Sequence, residues 1–102
     1  MTRVLMPLAV LEGESVAYGL MDLLGTMDVT VLGYHVLPEQ TPADQARGQY
    51  EERAVSGLED TAEEFRKAGG AADYRLVFTH DRHQSVERVA DEVDARAYAI
   101  NG

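Results

Sequence analysis

The chain reads as an α/β domain: an open parallel sheet of four strands with three helices packed on its faces. Two observations predict this. Apolar runs at Val4–Val10, Val29–Leu37, Leu76–Phe78 and Tyr98–Ile100 alternate with three stretches of helical pattern. Strict strand–helix alternation builds parallel sheets covered by helices. The second run is apolar on both alternations, as a central strand covered on both sides must be.

Each element has its own signals. Strand one spans Arg3–Val10, with Pro7 suited to a strand end, because proline cannot donate to the ladder. Helix one runs from about Ser15 to Leu24, with Ser15 as N-cap and Glu14 adding negative charge near the first turn. Val16, Leu20 and Leu23 or Leu24 share its inner face, and Gly25 stops it. Strand two is Asp28–Leu37. Val29, Val31, Gly33 and His35 lie on one side, and Thr30, Leu32, Tyr34 and Val36 on the other.

Helix two is long, about Pro42 to Ala68. Thr41 is its expected N-cap and Pro42 its first residue. Tyr50, Ala54, Leu58, Ala62 and Phe65 form an apolar stripe at helical spacing. Glu51, Glu52, Glu59, Asp60, Glu63 and Glu64 make a solvated face, and Gly69-Gly70 ends the helix. Strand three, Asp73–Thr79, alternates polar and apolar residues as a sheet edge does. Asp81 caps helix three, with Gln84 three residues later as a capping box requires. Val86, Val89, Ala90 and Val93 carry its inner face, and Ala97–Ile100 is strand four.

Composition narrows the function. The 102 residues make one domain, large enough to bury roughly two-thirds of its unfolded surface. No apolar run is long enough to span a membrane, and the first residues lack the pattern of a signal peptide, so a cytoplasmic location is expected. There is no cysteine, hence no disulfide and no thiol nucleophile. The net charge of −9 argues against a nucleic-acid partner, which a basic footprint would bind. Of nine basic residues only Lys67 is lysine. An acidic, lysine-poor surface suits a chain hydrated in concentrated salt, where screening removes its self-repulsion.

Catalytic and metal motifs are sparse. His80 and His83 have a His-x-x-His spacing, and His35 ends strand two, so His35 and His80 can approach at the carboxyl edge. Zinc needs three or four fixed ligands, and a third and fourth are not evident, so no functional metal site is expected. No glycine-rich phosphate loop is present. Glu12-Gly13-Glu14-Ser15 follows strand one, where two carboxylates would repel a phosphate. Ser15 has no histidine or aspartate placed to activate it, and no catalytic residue is expected.

These residues resemble the universal stress protein family, over essentially the whole chain. Arg3-Val4-Leu5-Met6-Pro7-Leu8 looks like the family's first strand, an aliphatic run ending in proline. Tyr34-His35-Val36-Leu37-Pro38-Glu39 resembles its second strand, often closing on His-Val. Phe78-Thr79-His80-Asp81 leading into Val86-Glu87-Arg88-Val89-Ala90 resembles the third strand and its helix. The acidic composition is similar to the halophilic archaeal branch. The resemblance implies strand order 3-2-1-4, with a fifth strand in the family. Some members bind ATP through an acidic residue after the first strand and a motif Gly-x2-Gly-x9-Gly-Ser/Thr after the fourth.

This chain departs at both places. Ala9 stands at the acidic position, and the glycine motif would begin at about Gly102, where the chain ends. The expectation is a segment of a longer protein lacking the family's last helix and strand. In the winding expected from the resemblance, helices one and four share a face. That face would then be half bare and strand four unpaired at its outer edge, which predicts a homodimer or larger oligomer. The leading expectation is a non-catalytic module in stress response that dimerises or binds a ligand or partner, with no cofactor. The alternative is a protein that binds ATP or another adenine nucleotide, or hydrolyses ATP weakly. Its pocket would lie at the carboxyl ends of strands one and four, near Pro7, Leu8, Ala9 and the backbone of Val36 and Leu37.

The charge reading makes a direct prediction. The unfolding temperature should rise as potassium chloride goes from millimolar to molar, because screening relieves self-repulsion. A flat or falling temperature would contradict a salt-adapted surface.

Overall fold

The computed structural model describes residues 3–13, 16, 18–24 and 27–99. In chain order its elements are β1 (Arg3–Leu8), a 3-10 turn (Val10–Glu12), α1 (Tyr18–Leu24), β2 (Asp28–Val36), α2 (Ala43–Lys67), β3 (Ala71–Thr79), α3 (Arg82–Glu92) and β4 (Ala97–Tyr98). The strands form one parallel sheet in the order β3-β2-β1-β4. The fold class and strand order expected from the sequence are those observed. The expectations at Glu14, Ser15, Gly25, Ile100 and Gly102 fall outside the described residues.

β2 is central because it pairs along its whole length with β3, from Asp28↔Ala71 to Val36↔Thr79, and with β1 from Arg3↔Asp28 to Leu8↔Gly33. Its two-sided apolar sequence is thereby used on both faces. Val29 and Val31 pack with Val4, Met6 and Leu8 of β1 and Leu58 and Phe65 of α2. Leu32, on the other face, packs with Leu5, Val77, Val89 and Ala90 of α3, and Val93 just after it. Burial fails only at its carboxyl end, where Val36 is 47% exposed.

The distribution of helices corrects one expectation. Leu24 of α1 joins the same cluster as Leu58 and Phe65 of α2, so these two helices share a face, while α3 covers the other. Right-handed crossovers explain this. The steps β1→β2→β3 run in one direction and put α1 and α2 on one side. The step β3→β4 reverses past β1 and puts α3 on the opposite side. A helix following β4 in the same direction would lie beside α3, not α1.

Element ends also differ from the sequence reading. β1 stops at Leu8, since the chain then turns through Val10–Glu12 and closes on Gly13 at φ 76°. Pro7 is inside β1, yet it breaks no ladder. Arg3 and Leu5 turn their carbonyls toward the β4 side, where the amides of Arg96 and Ala99 donate to them. Pro7 continues that alternation beyond the last β4 pair, Leu5↔Tyr98, so its missing N–H faces no paired strand. α2 begins at Ala43 with Pro42 as N-cap, not Thr41, because Pro42 is extended (ψ 140°) and its carbonyl accepts the first helical bond from Ala46. α2 ends as expected: the Gly70 amide donates to Phe65 and the Gly69 amide to Arg66, with Gly69 at φ 102°.

The α2 stripe is buried at Ala54, Leu58, Ala62 and Phe65, and Leu24 rather than Leu23 faces the core of α1. On the same face of the sheet, the Tyr74 hydroxyl donates to Glu59 Oε1 at 3.2 Å. Desolvation first, then that hydrogen bond and the Glu59 charge, hold the Tyr74 phenol above its usual range.

The tightest helix–sheet approach is at Gly33. A Cβ there would stand 2.7 Å from both Leu58 methyl carbons and 3.0 Å from Leu58 Cγ, and Leu58 is fully buried. Gly33→Ala should therefore cost about 1–3 kcal/mol by overpacking. Leu58→Ala alone should cost about 2–5 kcal/mol. The double variant should lose less than the sum, because the smaller residue makes room for the methyl. Denaturant melts of the four proteins read this directly, and strict additivity would contradict the close approach.

Candidate functional site

The chain leaves β1 toward β2 and later returns to the other side of β1 to form β4. Open α/β sheets bind ligands outside the carboxyl ends of the strands at such a reversal. The five residues expected at this edge divide between its two sides. Leu8 and Leu37 are buried, 0% and 5% exposed, in the clusters under α2. Ala9 is buried at the start of the 3-10 turn, and its carbonyl accepts from the Glu12 amide at 3.1 Å. Pro7 is half-buried and Val36 exposed, and their place in the strand alternation puts both on the α3 face. Register aligns Pro7 with Leu32 and Leu8 with Gly33, so β2 reaches three residues further than β1.

The α3 side of this edge is well braced. The Asp81 carboxylate accepts from the Gln84 amide at 3.2 Å, which is the cap expected from sequence. Buried Ser85 donates to the Thr79 hydroxyl at 2.7 Å, tying the first turn of α3 to the end of β3. The Arg82 guanidinium lies over the Tyr34 ring, 4.9 Å from its centroid.

The three histidines go separate ways. The His80 Nε2–H donates to the Thr41 carbonyl at 2.8 Å. His83 meets Glu87 at 3.1 Å on an exposed face of α3. His35 packs edge-on to Tyr50 and Phe78, with centroids 5.7 and 6.2 Å away. Among the described residues no three His, Asp or Glu side chains are gathered to hold a metal ion. Among the same residues, no helix is long and apolar enough to cross a membrane.

A concavity of about 280 Å³ opens on the α2 side of the same edge. His35, Leu37, Pro38 and Thr41 supply one wall, from the end of β2 and the loop after it. The first turns of α2 supply the other, through Gln45, Ala46, Gln49 and Tyr50. Of these residues, only Leu37 was expected at a site from the sequence. The available signal was that Gln45 and Gln49 each directly precede a residue of the apolar side of α2, Ala46 and Tyr50. They therefore sit at the shoulder of the stripe, one turn apart.

Comparison with solved structures finds this architecture elsewhere. The chain is similar to a universal stress protein from Archaeoglobus fulgidus, with TM-score 0.58 and 20% identity over 98% of this chain and 75% of that one. It is equally similar to the universal stress protein from Archaeoglobus fulgidus in complex with dAMP, covering 98% of this chain and 80% of that one, again at 20% identity and TM-score 0.58. No protein-family model and no curated protein matches the chain. At this level of identity the likeness establishes the fold: the universal stress protein arrangement of a parallel sheet between layers of helices.

Proposed function

We propose that the chain is a non-catalytic universal stress protein-like domain of a salt-adapted, cytoplasmic protein, acting in stress response by binding a ligand or partner and by forming a homodimer. The observation that supports the binding reading is the strand order β3-β2-β1-β4, whose reversal between β1 and β4 is where open α/β sheets bind ligands, beyond the carboxyl ends of the strands. Pro7 and Val36 present apolar surface on the α3 side of that edge. The dimer reading rests on the α3 face. Tyr98 shares that face with its partner Leu5 and is 55% exposed, and β4 pairs with β1 alone among the described strands. An apolar face beside an open strand edge favours association.

A second reading, adenine-nucleotide binding at the same edge, is favoured by the dAMP complex of the similar protein. Pro7, Leu8, Ala9 and the backbone of Val36 and Leu37 would then line the pocket. Ala9 offers no carboxylate to a ribose, so the leading reading expects weak nucleotide affinity.

Calorimetric titration of ATP and dAMP into the wild type and Ala9→Asp separates the two. The leading reading expects no saturable heat in the wild type and a gain in Ala9→Asp. Tight binding by the wild type would establish the second reading, and release of phosphate from ATP would overturn the non-catalytic one. Sedimentation equilibrium at micromolar concentration should show a dimer or larger species, and a clean monomer would remove the assembly reading.

A further inference from the structure

We propose that the concavity between the end of β2 and the first turns of α2 is a second binding site, separate from the strand-reversal edge, for a small uncharged planar heterocycle with an amide-like hydrogen-bonding edge. At the end of β2 the two sites part on opposite faces of the strand, although Leu8 of the first also lies on the α2 face. Val36 belongs to the α3 face and His35 to the α2 face. Only Leu37 is common to both sets of residues, and its side chain is buried with Ala46 and Phe78.

The lining sets the ligand class. His35 stands edge-on to Tyr50, so the site has an aromatic wall suited to a flat ring. Leu37 and Ala46 are buried and give it an apolar floor. Gln45 and Gln49, one turn apart on α2, bring two carboxamides to the same shoulder, each with two donors and an acceptor. No carboxylate, arginine or lysine is among the lining residues. Arg53 lies over the Tyr50 ring at 5.4 Å but does not line the site. A charged guest would lose hydration and meet no counter-charge in the lining, since Arg47 beside it is engaged over the Phe78 ring at 5.4 Å and with Glu51 at 3.5 Å. The field of a chain of net charge −9 further disfavours anions. At about 280 Å³ the site falls just below the ~300–1,000 Å³ of drug-sized ligand pockets, which suits a single ring system.

The walls are held in place before any ligand arrives. The Leu37 amide donates to the Thr79 carbonyl at 2.7 Å, and His80 donates to the Thr41 carbonyl at 2.8 Å. The loop after β2 is thus pinned at both ends to the β3–α3 connection. The Thr41 amide closes the loop on itself through Pro38 at 2.9 Å. Preorganisation of this kind lowers the ordering cost of binding.

The test is a proton–nitrogen NMR titration of the full chain with nicotinamide and adenine, and with benzoate as a charged ring of similar size. The proposal expects saturable shifts from at least one neutral ring, centred on His35, Gln45, Gln49 and Tyr50, with benzoate much weaker. Gln45 and Gln49 are exposed, so Gln45→Leu and Gln49→Leu should fold normally. Each should weaken the neutral ring about tenfold, the equivalent of one hydrogen bond. Three results would overturn the proposal: no saturable shift with either neutral ring, equal binding of benzoate, or unchanged affinity in both folded variants. Shifts centred on Leu8, Ala9 and Val36 instead would assign the ring to the strand-reversal edge and also overturn it.

Discussion

Two-sided burial of β2 is the constraint on which the rest of the molecule depends. A strand covered on both faces and paired on both edges has no freedom left to slip. A shift of one residue would exchange the side chains of its two faces. Here it would move Gly33 away from Leu58 and put a bulkier residue where that side chain lies. The glycine therefore does two things at once: it lets α2 lie close to the sheet, and it marks the register at which that approach is allowed. α2, the longest helix, is in turn placed by Leu58 and Phe65, both fully buried against β1 and β2.

Function follows from what this fixed centre leaves free. The carboxyl ends of β1 and β2 emerge from the sheet at different heights, with Leu8 level with Gly33 and Val36 three residues beyond. On the α3 side the step leaves Val36 exposed and Pro7 half-buried, on the face that carries the stacked pair Tyr34 and Arg82. On the α2 side it leaves room between His35 and the shoulder of α2. The same central strand thus presents two chemically different surfaces at one edge. One is apolar and next to a strand reversal; the other is aromatic, neutral and rich in carboxamides.

Much of this was legible in the residues because it rests on short-range patterns. The alternation of β2, the stripe of α2, its Gly69-Gly70 end and the Asp81 cap depend on spacing, and spacing is visible in sequence. What was not legible depends on direction and competition. Thr41 has the chemistry of a cap, but its amide closes on Pro38 and its carbonyl takes His80, so Pro42 occupies the cap position. Pro7 looked like a strand end because the side on which its missing N–H would fall depends on which residues of β1 face β4. The face chosen by α1 followed from the handedness of successive crossovers, which no local pattern encodes. His80 and His35 have separate partners, the Thr41 carbonyl for one and the Tyr50 and Phe78 rings for the other, which their spacing in sequence does not reveal. The carboxamide site was hidden for a simpler reason: Gln45 and Gln49 look like ordinary solvated helix residues until the end of β2 is placed beside them.

The measurement that bears most directly on the central claim is native-state hydrogen exchange, resolved by residue. If two-sided burial of β2 anchors the fold, the amides of Val29–Leu32 and of Val4, Met6 and Leu8 in its partner β1 should exchange last and together, through global unfolding alone. β3, β4 and the ends of α3 should open earlier, each being bound to the centre from one side. Protection in β3 or α3 that outlasts β2 would contradict the account and move the anchor of the fold to the opposite face of the sheet.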